Sequence, residues 1–235
     1  MRANIFKNRY PACLTFLLKR SSGRHEFSQI NLEVSPGDFH DRGWHDALRE
    51  PGILPEEQTM NLKPILQAIL EDYALPIGGD HGIAHWARVL ENGLKLAETT
   101  GANVEVVSLF AVFHDSRRIN ECTDHNHGLR GADFAAELRG DVFDLDDHEF
   151  NLLYRACEGH THERTHPDIT IQTCWDSDRL DLGRVGITPH PSKLCTEAAK
   201  TKKMIQWADG RASFRVVPEF VLEEWGIEMP KERVW

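Results

Sequence analysis

The sequence predicts an all-α fold, and three observations carry that expectation. Apolar residues recur at helical spacing, first at Ile65, Leu66, Ile69 and Leu70. The run over 104–113 is apolar almost all round, as in a helix enclosed by other helices. No stretch alternates apolar and polar residues in the way a half-buried strand requires, and no internal repeat is present.

In chain order, residues 1–59 stand apart. They lack helical periodicity and are punctuated by Pro36-Gly37, Pro51-Gly52 and Pro55, so they read as an irregular N-terminal extension or as translated sequence ahead of a start at Met60. From Met60 the character changes. Asn61-Leu62-Lys63-Pro64 is a helix entry, with proline in the first turn where its missing N–H does no harm. A turn at Gly78-Gly79-Asp80 leads to a helix over 83–98, closed by Gly101. The buried helix 104–113 follows, and then helices over 128–139, 146–157 (with Asp144 near its cap), 169–182 and 192–208. The expected organisation is one helical domain over 60–210 and a short appendage over 211–235, carrying Val216, Val217, Phe220, Leu222 and Trp225.

Composition narrows the function classes. A net charge of −10 argues against a duplex nucleic-acid partner, which needs a basic face. It leaves room for a small phosphorylated substrate whose charge a bound cation meets locally. No apolar run is long enough to span a membrane. The basic N-terminal segment has no clear cleavage site, so a cytoplasmic protein is expected. Cys13, Cys122, Cys157, Cys174 and Cys195 are scattered, with no C-x-x-C pair, and suit neither a disulfide framework nor a structural zinc site.

Histidine points to the chemistry. Nine of the thirteen histidines fall between His81 and His166. His114-Asp115 ends the apolar helix 104–113, which delivers an imidazole and a carboxylate to the interior. An ionised aspartate there is costly unless paired or bound to a cation, and the negative end of the helix also favours a cation. Mixed imidazole and carboxylate suits Zn, Fe or Mn better than the oxygen-only shells of Ca and Mg. His40-Asp41 and His45-Asp46 repeat the dipeptide, but in the irregular extension, without helical context.

Partners flank the central pair in order. His85 lies in His85-Trp86-Ala87-Arg88-Val89, and Asp178 in Asp176-Ser177-Asp178-Arg179-Leu180-Asp181. Together these segments resemble the HD superfamily of metal-dependent phosphohydrolases over residues 80–190. The resemblance implies an HD-domain helical bundle around a metal site, with His85, His114, Asp115 and Asp178 as ligands. His127, in His127-Gly128-Leu129-Arg130-Gly131-Ala132, and His160, four residues after Ala156, resemble the extra ligands of the bimetallic branches; His125 is a rival to His127. One or two divalent transition ions (Fe, Mn or Zn) are therefore implied, with Asp115 as the bridge if there are two. Arg118 stands three after Asp115, where the family commonly places a basic substrate contact, usually lysine. The resemblance assigns Asp115 and Arg118 to catalysis, and Arg suits bidentate phosphate binding. His81 or a neighbour is a candidate proton donor to the leaving group.

The implied reaction is hydrolysis of a phosphate ester or anhydride, with a nucleotide as the expected substrate. Two alternatives stand beside it: a di-iron oxygenase of the myo-inositol oxygenase kind, and a non-catalytic nucleotide-binding domain. A third pattern competes for the metal. His162-Glu163-Arg164-Thr165-His166 spells H-E-x-x-H, which needs both histidines on one helical face. Pro167 disfavours helical geometry at His166, and the third ligand of the extended protease motif is missing.

Overall fold

The computed structural model describes residues 60–230. The extension expected over 1–59, with its two His-Asp dipeptides, lies outside these described residues. The architecture is all-α, as the patterning predicts: among the described residues the only β-type pairing is an isolated bridge between Arg139 and Phe143.

Helix α1 (Lys63–Glu71) starts with its proline in the first turn and buries Ile65, Leu66 and Ile69. Helix α2 (Ile83–Thr100) ends as expected at Gly101, whose N–H bonds the Ala97 carbonyl. Helix α3 (Val104–Phe113) begins at Asn103, whose side chain accepts the Val106 N–H. Every residue from Val106 to Phe113 is buried, because α2, α4, α5 and α6 all pack around it. A helix that is apolar almost all round is stable where other helices enclose it.

Helix α4 (His127–Leu138) follows Asn126, which adopts a left-handed conformation. Helix α5 (Asp147–Gly159) is capped by Asp146, two residues later than expected, since this carboxylate receives the Glu149 N–H. Helix α6 (Ile169–Arg179) is capped by Asp168 and holds Trp175 against α5, its indole N–H donating to the Ala156 carbonyl at 2.9 Å.

The helix expected over 192–208 is broken. A 3-10 turn (Pro191–Lys193) precedes α7 (Glu197–Lys200) and α8 (Lys202–Ser213). Between α7 and α8 the interruption is local, at Thr201, whose side chain accepts the Met204 N–H; the one ahead of α7 has a long-range cause. Buried Asp176 on α6 accepts the Cys195 N–H and the Thr196 N–H, both at 2.7 Å, and the Thr196 hydroxyl at 2.8 Å. Helix α8 continues past position 210. Beyond it, α9 (Phe220–Glu223) returns Val221 and Trp225 to the main core. A second, smaller core of Leu96, Leu180, Leu194, Ala199, Met204 and Ala208 seats α7 and α8.

Candidate metal centre

Three helix C-termini converge beside the core. His114 is the residue after α3, His160 the residue after α5, and Asp178 lies in the last turn of α6. Each helix end brings partial negative charge, so the meeting point favours a cation before any side chain is counted. His85, from the first turn of α2, and His127, the first residue of α4, complete the ring.

The structure brings together all six residues singled out from the sequence as ligands. His85 Nε2 lies 3.1 Å from His114 Nε2 and 3.5 Å from both Asp115 Oδ2 and Asp178 Oδ1. His114 Nε2 lies 3.6 Å from Asp115 Oδ2 and 3.9 Å from Asp178 Oδ1. On the other side, His127 Nε2 is 3.1 Å from Asp115 Oδ1 and 2.9 Å from His160 Nε2, which is itself 3.8 Å from Asp115 Oδ1. Two triads, His85-His114-Asp115 and Asp115-His127-His160, thus present ligand atoms close enough to hold a metal ion. Asp115 belongs to both.

The outward nitrogens fix the protonation of the inward ones. His114 Nδ1 faces the Phe110 carbonyl (3.0 Å), His127 Nδ1 the Asp124 carbonyl (2.6 Å) and His160 Nδ1 the Cys157 carbonyl (2.7 Å). A carbonyl only accepts, so each Nδ1 must carry the hydrogen. His85 Nδ1 likewise donates to Asp181 Oδ2 at 2.8 Å. Burial keeps His160 below its ordinary pKa and lowers His114 to about 3, so both imidazoles are neutral. Their Nε2 lone pairs then point inward. Burial would raise the Asp178 carboxyl, but the Arg184 guanidinium beside it works against burial, and the carboxyl lies below its usual range.

The result is a concentration of acceptors. Around His85 and His114, two nitrogen lone pairs and two carboxylate oxygens face one another, and among the described residues no donor hydrogen-bonds to either inward nitrogen. Buried acceptors normally have a donor, and a divalent cation would satisfy all four here. The donor set therefore fits a metal ion, of the imidazole-and-carboxylate type that suits Zn, Fe or Mn.

Packing makes the convergence possible. A Cβ at Gly128 would lie 2.1 Å from the Cys157 carbonyl and 2.9 Å from the His160 ring, and one at Gly131 2.3 Å from the Phe113 carbonyl. Only glycine lets α4 approach the ends of α3 and α5 this closely. The His-x-x-x-Gly spacing is therefore a packing requirement that seats His127.

Arg118 is buried at the second triad. Its Nη1 lies 3.4 Å from Asp115 Oδ1 and 3.1 Å from His127 Nε2, while Nη2 donates to the Cys122 carbonyl at 2.6 Å. His81 is adjacent: its ring meets that of His85 edge-on, and its Nδ1 lies 2.5 Å from Glu121 Oε2. His125, the rival to His127, is exposed, with its carbonyl accepting from Arg130.

The sequence reading missed the support behind His85. Asp181 receives His85 Nδ1 and also Arg88 Nε (2.6 Å) and Nη2 (2.9 Å), and Arg88 Nη1 reaches the Val216 carbonyl. The signal was present as two i,i+3 pairs, His85-x-x-Arg88 and Asp178-x-x-Asp181, but which carboxylate turns outward depends on how α2 meets the end of α6. The competing H-E-x-x-H segment is not helical. Helix α5 has ended at Gly159, His162 is exposed, and His166 Nδ1 accepts the Asp168 N–H at 3.1 Å.

No family model matches the chain, and no curated protein matches it. Among solved structures it is similar to a predicted HD superfamily hydrolase from an uncultured Thermotogales bacterium, with 30% identity over 70% of this chain and 91% of that one, at a TM-score of 0.48. The identity and the share of each chain covered carry that likeness, not the degree of superposition.

Proposed function

This chain belongs to the HD superfamily, and we propose that it is a metal-dependent phosphohydrolase acting on a phosphate ester or anhydride, with a nucleotide as the favoured substrate class. The observation that carries the reading is the convergence of four inward Nε2 atoms and two aspartates, with every outward Nδ1 held by an acceptor. When bound, divalent cations at His85, His114, Asp115 and Asp178, and at Asp115, His127 and His160, supply Lewis acidity and acidify water.

The chain's own residues do the rest. Asp115 turns one oxygen toward each triad, so it fixes their spacing and serves as a shared acceptor. Arg118, anchored by the Cys122 and Asn120 carbonyls, holds a permanent positive charge where a phosphoryl group develops negative charge. His81 holds or delivers a proton beside the centre, and burial keeps its pKa below the ordinary histidine value against the pull of Glu121. Asp178 is the most exposed of the six ligands, with 17% of its side chain accessible against at most 5% for the others, so it marks the side from which substrate enters.

Anaerobic assay of the metal-loaded protein on a panel of nucleotides and phosphate esters tests the reading. Release of phosphate without dioxygen is the expected result. Turnover that vanishes without dioxygen would transfer the site to oxidative chemistry.

A further inference from the structure

Beside the centre lies a cleft of about 530 Å³, lined by Arg164, Arg179, Lys193 and Lys200 against a single carboxylate, Glu163. Such a volume suits a small-molecule ligand. Its charge runs against the rest of the chain: four cations and one anion line it in a protein whose net charge is −10. A concave surface of one sign concentrates counter-ions of the other.

The cationic groups divide by what already binds them. Arg179 donates to the Glu163 and Arg164 carbonyls, and Lys200 pairs with Glu197. The side chains of Arg164 and Lys193 make no hydrogen bond or ion pair among the described residues. Their charges are uncommitted and line the cleft.

The cleft and the centre share a wall. Thr161 lines the cleft, and its Oγ1 lies 3.1 Å from His160 Nε2 and 3.4 Å from His127 Nε2. Arg179 follows Asp178, the ligand candidate on the accessible side.

We infer that this cleft is an anion subsite that receives a second negatively charged group of the substrate, so that the preferred substrates carry further phosphates beyond the one hydrolysed. This rests on the phosphohydrolase reading for what occupies the centre, but not for the cleft's own charge. Arg164 and Lys193 are the residues that contact the second group, and they set selectivity rather than perform the chemistry.

Two measurements on the metal-loaded protein test the inference separately from that reading. The first is isothermal titration with tripolyphosphate and with inorganic phosphate, which needs no turnover. Arg164→Ala/Lys193→Ala is expected to weaken tripolyphosphate about tenfold or more, the effect of losing hydrogen bonds to a charged group, and inorganic phosphate by much less. Lys193→Glu should produce the same bias, more strongly. An equal loss for both ligands, or none, would overturn the subsite. The second is the ratio of kcat/KM for a nucleoside 3′,5′-bisphosphate to that for the 5′-monophosphate, which should fall in the same variants. Turnover with an unchanged ratio would overturn the subsite and leave the phosphohydrolase intact. A selective loss of tripolyphosphate binding in a protein that hydrolyses nothing would do the reverse.

Discussion

The two halves of the candidate centre are built from the same residue types but differ in what already satisfies them. Around His85 and His114, two lone pairs and two carboxylates meet with no donor hydrogen-bonded to either inward nitrogen. Around His127 and His160, Arg118 Nη1 can donate to His127 Nε2 and the Thr161 hydroxyl to His160 Nε2, and there is only one carboxylate. The first half is a set of acceptors without a resident donor on either nitrogen, which a cation would complete. The second is hydrogen-bonded without one, so an ion there must displace resident donors. We therefore expect the halves to differ in affinity, with the first holding its metal more tightly.

That difference can be broken from either side. The largest effect is expected from His114→Ala or Asp115→Ala, which should empty the first half and lower turnover by about a thousandfold or more, while far-ultraviolet circular dichroism stays helical. Full metal occupancy in either variant would refute the assignment. Arg118→Ala acts on the second half alone. A loss of about a hundredfold in kcat is expected, comparable to removing one donor from an oxyanion site, with the first ion retained. If kcat is preserved and only KM rises, Arg118 binds substrate without stabilising developing charge.

Asp181→Asn tests the support behind the first half. Burial would raise this carboxyl, but the bonds from His85 and Arg88 hold its pKa below the usual range, so the native group is ionised. The amide should weaken metal binding about ten- to a hundredfold, and a competition titration against a chelator reads this directly. An affinity equal to the parent's would mean that the α2–α6 packing alone orients His85. The smallest effect is expected from His166→Ala, in the segment that spells a protease motif. It should leave metal content unchanged and destabilise by about 1 kcal/mol, because one cap-like hydrogen bond to the Asp168 N–H is lost. Loss of metal in that variant would revive the competing site.

How much of this was legible in the sequence differs between fold and site. The helical class, the enclosed α3 and the close at Gly101 follow from periodicity and local cap chemistry, which neighbouring residues decide among themselves. The break between the 3-10 turn at Pro191–Lys193 and α7 was not legible, because its cause is Asp176, some twenty residues earlier, which draws off backbone donors that a continuous helix would use. Within the site, the six ligand candidates could be picked out because each sits at a helix end or first turn in a recognisable local context. The groups that finish the site could not. Asp181 behind His85, Thr161 against His160, and the basic cleft formed by Arg164 and Lys193 depend on how separate elements meet. In the sequence they are ordinary polar residues. The appendage expected after position 210 is similar: its periodicity is weak, yet Val221 and Trp225 pack into the main core and the Val216 carbonyl holds Arg88 behind the first half.

The central claim is that the first half binds its ion independently of the second, and metal stoichiometry in a His127→Ala/His160→Ala protein tests it most directly. Elemental analysis of protein purified without chelator should give two ions per parent chain and one per variant chain, the remaining ion resisting chelator as strongly as the tighter of the original two. A variant that keeps both ions, a variant that loses both, or a parent that holds only one ion would contradict the account.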